Sequence, residues 1–383
     1  MESKSQLYER ELRVAQLAVQ RAAIMTRRVF REKAKGTVDK DDKSPVTIGD
    51  FGAQALITAA LQHNFPSDEI VAEEEAAKLR KDTQLRDTVW ELVRDTRLED
   101  GDAEKEVLGG AVGDANTMMD LIDRGGSRGG AKGRIWTIDP IDGTKGFLRG
   151  GQYAVCLALM VDGHVKVGVL GCPNLPVDGD PSLMANIGTV ESDQGRGVLF
   201  SAVSGHGATC RPLTAAGLAP SQPISMRAIE SLAEASMCES VEAGHSSHDL
   251  QADISRLLGI AKPSVRMDSQ AKYGSIARGA GDVYLRLPTS KTYREKIWDH
   301  AAGDLIVTEA GGRVSDIFGQ ALDFGRGRTL QDNRGVVACR ADLHAHVISR
   351  FRQYVEQKRE AKTPNLLVEL YDEHEKETKH KLT

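Results

Sequence analysis

The residues best suited to chemistry are two aspartates three positions apart, Asp139 and Asp142, in the run Trp136 to Phe147. Pro140 fixes one backbone angle, and Gly143 permits a conformation that residues with a Cβ resist. The pattern predicts a strand that stops at Asp139, a sharp turn, and a helix from about Thr144. Such a turn aims two carboxylates at one point beside the N–H groups of a helix start. Carboxylates attract a hard cation such as Mg2+, and free N–H groups attract phosphate oxygens. Together they indicate metal-assisted phosphate chemistry. A second reading stands beside it: Asp-Pro and Asp-Gly pairs form ordinary turns, and an Asp before a helix is an ordinary cap.

Three more acidic positions have the same setting, at the end of a strand or the start of a helix: Asp50, Glu73 and Asp299. Each has a local explanation. Thr47 and Asp50 match a capping box ahead of a helix from Phe51 to Leu61, within an exposed loop that includes Asp41, Asp42, Ser44 and Pro45. Glu73 opens a run of three glutamates, which usually marks a solvated helix start. Asp299 precedes a helix from Ala301 to Ala310. One shared metal cluster is a more economical account than five separate caps. Element ends are where α/β proteins place ligands, and two ions in one site can activate water and stabilise a leaving oxygen.

A chain of 383 residues can bury a large core and predicts two lobes. A net charge of −5 offers no general attraction for nucleic acid or an anionic membrane, so a phosphate ligand must be held locally. The five cysteines, Cys156, Cys172, Cys210, Cys238 and Cys339, are scattered and odd in number. They argue against a disulfide framework and for a reducing compartment. No stretch is apolar enough to cross a bilayer, and the N-terminus is polar, without a signal-peptide core. A cytosolic protein is expected, with a nuclear pool left open.

Helical spacing predicts a long helix from about Leu7 to Phe30. Gly101 to Gly133 reads as an irregular glycine-rich insertion, a flexible surface loop with one short helix near Ala115 to Ile122. Ala154 to Val161 and Val165 to Leu170 are strands joined by the tight turn Asp162-Gly163, and Gly197 to Ser204 adds a third. Together they read as an antiparallel sheet. From about Ser231 strands and helices alternate, giving an α/β second lobe. Residues 1–228 form the first lobe and 229–354 the second; 355–383 read as a charged, mobile or loosely docked tail.

Several runs together resemble the inositol monophosphatase superfamily of Mg2+-dependent, lithium-sensitive phosphatases. They are Asp139 to Thr144, Trp298-Asp299-His300-Ala301-Ala302-Gly303, and the upstream pair Glu73-Glu74. Within it the chain is similar to the 3′(2′),5′-bisphosphate nucleotidase branch. Lys43 to Asp50, Gly244 to Asp249, Asp268 to Tyr273, Asp282 to Pro288 and Glu295 to His300 carry that narrower likeness, which spans roughly residues 5 to 354. One departure is Ala72, where the family commonly has glycine before the first glutamate.

The resemblance implies an α+β, α/β fold: a two-lobed layered α-β-α-β-α sandwich. It implies that Glu73, Asp139 and the Ile141 carbonyl hold one Mg2+, that Asp139, Asp142 and Asp299 hold a second, and that a third, looser ion sits near Glu73. Asp50 and Thr144 would orient and deprotonate the attacking water. The backbone N–H groups of Gly143 and Thr144 would hold the phosphate being cleaved. His245, Ser269, Lys272 and Arg286 would bind the nucleotide, with Lys272 and Arg286 on the phosphate that stays. The implied activity is removal of the 3′-phosphate from adenosine 3′,5′-bisphosphate, with the 2′ isomer and 3′-phosphoadenylyl sulfate as further substrates. Inhibition by Li+ or Na+ and a setting in sulfur assimilation and salt tolerance follow from the same likeness; a monomer is the expectation for the chain itself. An inositol phosphate phosphatase and a non-catalytic nucleotide or cation sensor are the rival readings.

Overall fold

A computed structural model of the chain describes residues 7–34, 44–178, 195–241 and 248–382. The helices α1 (Glu9–Ala34) and α2 (Ser44–Asn64) pack side by side. The strands β1 (Glu69–Ala72), β2 (Arg134–Asp142), β3 (Ala154–Val161), β4 (His164–Pro176), β5 (Arg196–Val203), β6 (Ala208–Pro212) and β7 (Gln222–Ile224) form one sheet in chain order. β1 runs parallel to β2, and every later pair is antiparallel. Between β1 and β2 lie α3 (Ala77–Lys81), α4 (Thr83–Asp95) and α5 (Ala115–Asp123).

β4 shows how both faces of this sheet become covered. Gly168 and Gly171 are an odd number of positions apart, so they face opposite ways. A Cβ at Gly171 would lie 2.8 Å from Val19 of α1. One at Gly168 would lie 2.8 Å from the carbonyl of Ala302, in the helix α9 (Ala301–Glu309). Missing side chains let a helix press close on each side. On the α1 side, Val14, Leu17, Leu56 and Val89 bury against Trp136, Ile138, Val155 and Leu157.

A second sheet holds β8 (Met237–Glu239), β9 (Val265–Arg266), β10 (Val283–Arg286), β11 (Gly312–Ser315) and β12 (Val336–Arg340), in the order β11-β12-β10-β8-β9. Its inner side chains, including Tyr284, Val336 and Ala338, share a core with α8 (Ala271–Ala277), α9 and the inner face of the first sheet. Its outer side chains, including Val283, Leu285, Val337 and Cys339, lie under α7 (His248–Leu257), α10 (Ala341–Glu360) and α11 (Leu366–Leu382). The layers therefore read α-β-α-β-α, as expected.

The short helix α6 (Thr144–Arg149) follows β2 directly. β2 does not stop at Asp139: it continues to Asp142 with a register shift against β3 over those residues. Pro140 cannot give the ladder a donor, which accounts for a break in register there. The turn Asp162-Gly163 has positive φ at both positions, 49° and 77°, as a two-residue hairpin turn requires.

Three local expectations are corrected. Thr47 and Asp50 do not form a capping box, because α2 already starts at Ser44. Pro45 fits the first helical turn, where its missing donor costs nothing. The glycine-rich insertion is not a loose surface loop: Leu108, Val112, Met118 and Ile122 are core residues. Within it Glu104 is buried and accepts from Arg21 at 2.7 Å. The charged C-terminal stretch is helical: α10 runs on to Glu360, and α11 buries Leu367, Leu370 and Tyr371. Its charged residues occupy the outer face of an amphipathic helix.

Candidate metal and phosphate site

The parallel strands β1 and β2 are in register from Glu69 with Ile135 to Ala72 with Ile138. The residues that follow, Glu73 and Asp139, therefore leave the sheet side by side. The Glu73 carboxyl interacts with those of Asp139 and Asp142. The register shift then re-aims the chain so that Asp142 joins them. Gly143, at φ 89°, makes the turn into α6. Asp299 arrives from the other sheet's side, on the single turn Ile297–Asp299 ahead of α9. Carboxylate oxygens of Asp139, Asp142 and Asp299 all lie within 4.8 Å of one another.

The electrostatics of this cluster are unfavourable as it stands. Asp139 is held well above the usual carboxylate range by burial, then by Glu73, Asp142 and Asp299. Burial and Asp142 do the same to Asp299, against the opposing pull of Arg286. Asp142 is raised by burial and moderated by Lys272 and the Gln270 N–H. Glu73, although open to the cleft, is pushed up to about 7 by desolvation, Glu74 and Asp142. Asp50 is raised by burial, then by Glu74 and Glu73.

Buried oxygens normally find a partner. Asp139 Oδ1 and Asp50 Oδ1 are buried and have none among the described residues. An all-oxygen donor set, crowded and short of hydrogen bonds, fits a hard divalent cation with open coordination positions. Glu73, Asp139, Asp142, Asp299 and the carbonyl of buried Ile141 are the groups able to hold it.

Asp50 comes to the cluster on α2. Gly49 beside it has no side chain, and a Cβ there would lie 2.5 Å from Ile141 Cδ1. Thr144, the first residue of α6, is exposed to the cleft. The Glu73 carboxyl interacts with Asp139 and Asp142, whereas that of Glu74 interacts with Lys78 and Glu75. The backbone of Glu74 is instead pinned by the Gln54 amide, at 2.8 and 3.0 Å.

The positions expected to bind nucleotide differ in placement. Ser269 stands at φ 68° before α8, against Gly143. Arg286 closes β10 and is paired with Glu295. Lys272 is buried: its ammonium donates to the carbonyls of Ser269 at 2.9 Å and Met267 at 3.4 Å, and lies over the Tyr284 ring. Its charge reaches Asp142 from behind, and it is not at the surface of the cleft. His245 lies outside the described residues.

Sequence reasoning gave no role to Glu295, His300, Gln270 or Arg328. Gln270 donates its N–H to Asp142 Oδ2 at 2.5 Å, and its side-chain amide to the Trp298 carbonyl at 2.7 Å, so it joins two of the acidic turns. Arg328 donates to the Ala72 carbonyl at 2.6 Å and covers the Trp298 ring at 4.9 Å. It thus ties the end of β1 to the turn bearing Asp299. Glu295 and His300 flank Asp299 within one run, the only signal available for them. Gln270 lies inside the run Asp268 to Tyr273, its only signal, and nothing local marked Arg328.

This two-sheet fold with an acidic cleft defines a class. The chain belongs to the inositol monophosphatase family, whose sequence model matches residues 8–356. The 3′(2′),5′-bisphosphate nucleotidase of Emericella nidulans is 62% identical over 347 residues, spanning 90% of this chain and 98% of that protein. The 3′(2′),5′-bisphosphate nucleotidase of Schizosaccharomyces pombe is 48% identical over 346 residues, 89% of this chain and 94% of that one. Among solved structures, an inositol monophosphatase from Zymomonas mobilis aligns with a TM-score of 0.55 at 20% identity, covering 90% of this chain and 98% of that one. One from Anabaena aligns at 0.52 and 18% identity, covering 90% and 95%. At such identities these structures establish the fold.

Proposed function

We propose that this protein is a Mg2+-dependent phosphatase that hydrolyses the 3′-phosphate of adenosine 3′,5′-bisphosphate to AMP and inorganic phosphate. The observation that carries the reading is the meeting of Asp139, Asp142 and Asp299 within 4.8 Å, with a buried, unpartnered carboxylate oxygen on Asp139 and another on Asp50. The relatives named above supply the substrate class.

Glu73, Asp139 and the Ile141 carbonyl would hold one divalent cation, and Asp139, Asp142 and Asp299 a second. Bound there, the cations would lower the pKa of water and neutralise charge on the leaving oxygen. Asp50, its carboxyl pushed up by burial, is suited to take a proton from the attacking water through the Thr144 hydroxyl. The Gly143 and Thr144 N–H groups would orient the phosphate. Water oxygen bonds to phosphorus, the bond from phosphorus to the 3′-oxygen breaks, and that oxygen leaves with a proton. Ser269, Arg286 and His245 would select the nucleotide. Lys272 would act from beneath, balancing Asp142.

The 2′,5′-bisphosphate and 3′-phosphoadenylyl sulfate are proposed as further substrates, with inhibition by Li+ and Na+. The free, mostly buried cysteines support a reducing, cytosolic setting. The deciding experiment compares phosphate release from adenosine 3′,5′-bisphosphate and inositol 1-phosphate, with Mg2+ and with Mg2+ plus Li+. Nucleotide-selective, Mg2+-dependent, Li+-blocked release is expected. Preference for the inositol ester would overturn the substrate assignment, and binding without release would overturn the enzyme.

A further inference from the structure

Arg286 stands between two carboxylates. Its Nε and Nη2 donate to the two oxygens of Glu295, at 2.9 and 2.8 Å. The same Nη2 is 3.9 Å from Asp299 Oδ2, too far for a hydrogen bond. A guanidinium prefers to engage one carboxylate through two parallel bonds, and here Glu295 has taken that fork.

Glu295 is itself held. Burial works to raise its carboxyl, but Arg286 and then His300 outweigh burial and keep it at about 2. It is therefore ionised and can only accept. His300 Nε2, 3.3 Å from Glu295 Oε2, must carry the proton. Its other ring nitrogen, Nδ1, is hydrogen-bonded to the Tyr273 hydroxyl at 2.8 Å. Tyr273 cannot move readily: its ring stands edge-on to Tyr284 at 5.0 Å and closes directly on Gly303, where a Cβ would be 2.2 Å away. Tyr273, His300 and Glu295 are all buried. The chain from tyrosine to arginine is a rigid bracket.

We propose that Glu295 is a positioning residue whose task is to hold the Arg286 guanidinium off Asp299, leaving the Asp299 carboxylate available to a divalent cation. This rests on the metal reading above. Without Glu295 the nearest carboxylate to Arg286 is Asp299, and the fork closes on it. Glu295, Asp299 and His300 also offer ligand atoms within 4.8 Å of one another, so Glu295 could be taken for a ligand. Both its oxygens are already occupied by Arg286 and His300, which argues for the bracket.

The test is Mn2+ binding by calorimetry to wild type, Glu295→Gln and the double variant Glu295→Gln with Arg286→Met. The expected result is at least a tenfold rise in Kd for Glu295→Gln, and a return to within threefold of wild type in the double variant. Unchanged binding by the single variant, or a double variant as weak as the single, overturns the proposal. If Glu295→Gln does not fold, the double variant alone decides, since it also removes the stranded buried cation: tight binding sustains the bracket and weak binding overturns it. A wild-type protein that binds no Mn2+ overturns the metal reading itself, and the proposal with it.

Discussion

Gly143 and Ser269 stand so close that a Cβ on the glycine would lie 2.8 Å from the serine Cβ, and both residues have positive φ. One belongs to the turn after Asp142, the other to the approach to α8. Their contact joins the acidic turn of the first sheet to the second half of the molecule. Gly143→Ala should therefore cost about 1–3 kcal/mol of stability from backbone strain alone. It should also cut kcat by roughly a hundredfold, because misplaced catalytic groups lose rate steeply. Denaturant titration and steady-state phosphate release measure the two effects; a variant with full activity would show that the contact is dispensable.

Asp142→Asn should abolish turnover, by roughly 10^3-fold or more, while leaving the fold intact. The aspartates of this cluster raise one another's pKa, so removing one relieves repulsion. The thermal midpoint without metal should hold or rise. Near-wild-type phosphate release would sink the metal assignment.

Metal-free protein should lose stability as pH rises from about 4.5 to about 7. In the fold, Glu73 titrates at about 7 against an ordinary 4.5. Its protonated form is favoured, so its stabilisation is complete below 4.5 and gone above 7. The full shift would be about 3 kcal/mol, but Glu73 is open to the cleft, and screening reduces the expectation to about 1 kcal/mol. Glu295 behaves oppositely: held at about 2, it stabilises above 4.5, and that contribution is lost as pH falls toward 2. Denaturation with a chelator present, from pH 5 to 8, tests the first slope. Saturating Mg2+, at about 100 times its Kd, should add about 2.7 kcal/mol, with a larger gain at pH 8 than at pH 5.

Arg21→Met should destabilise the protein by about 3–5 kcal/mol by stranding a buried carboxylate. Arg21 is wholly buried and reaches Glu104 at 2.7 Å and the Leu56 carbonyl at 2.9 Å, linking α1, α2 and the insertion. Arg21→Met with Glu104→Met should recover much of the loss. Chemical denaturation of both variants checks this; equal losses would mean that the cost lies in packing.

Deleting residues 364–383 should lower the thermal midpoint without changing KM. Leu367, Leu370 and Tyr371 leave the core together, each worth about 2 kcal/mol of burial before the entropy gained by the shorter chain. A changed KM would show that α11 reaches the site, through the ion pairs of Lys291 with Glu369 and Glu373.

Much of this molecule is written locally. Hydrophobic period and turn chemistry located α1, β3, β5 and the Asp162-Gly163 hairpin, because a turn depends on neighbours a few residues away. Glu73, Asp139, Asp142 and Asp299 were legible for the same reason, each following an apolar residue at the end of a strand or a turn, whereas Asp50 lies within α2. What only the tertiary structure decided is which of these ends meet. That Asp299 joins Asp139 and Asp142 follows from two sheets closing on α8 and α9. Lys272 was legible as a cation, but burial turned its ammonium inward to backbone carbonyls. The Arg21–Glu104 pair docked a glycine-rich stretch whose composition reads as loop. The bracket from Tyr273 to Arg286 crosses a helix, a strand and two turns. No spacing encodes such contacts, because a partner's distance along the chain carries no trace of its distance in space.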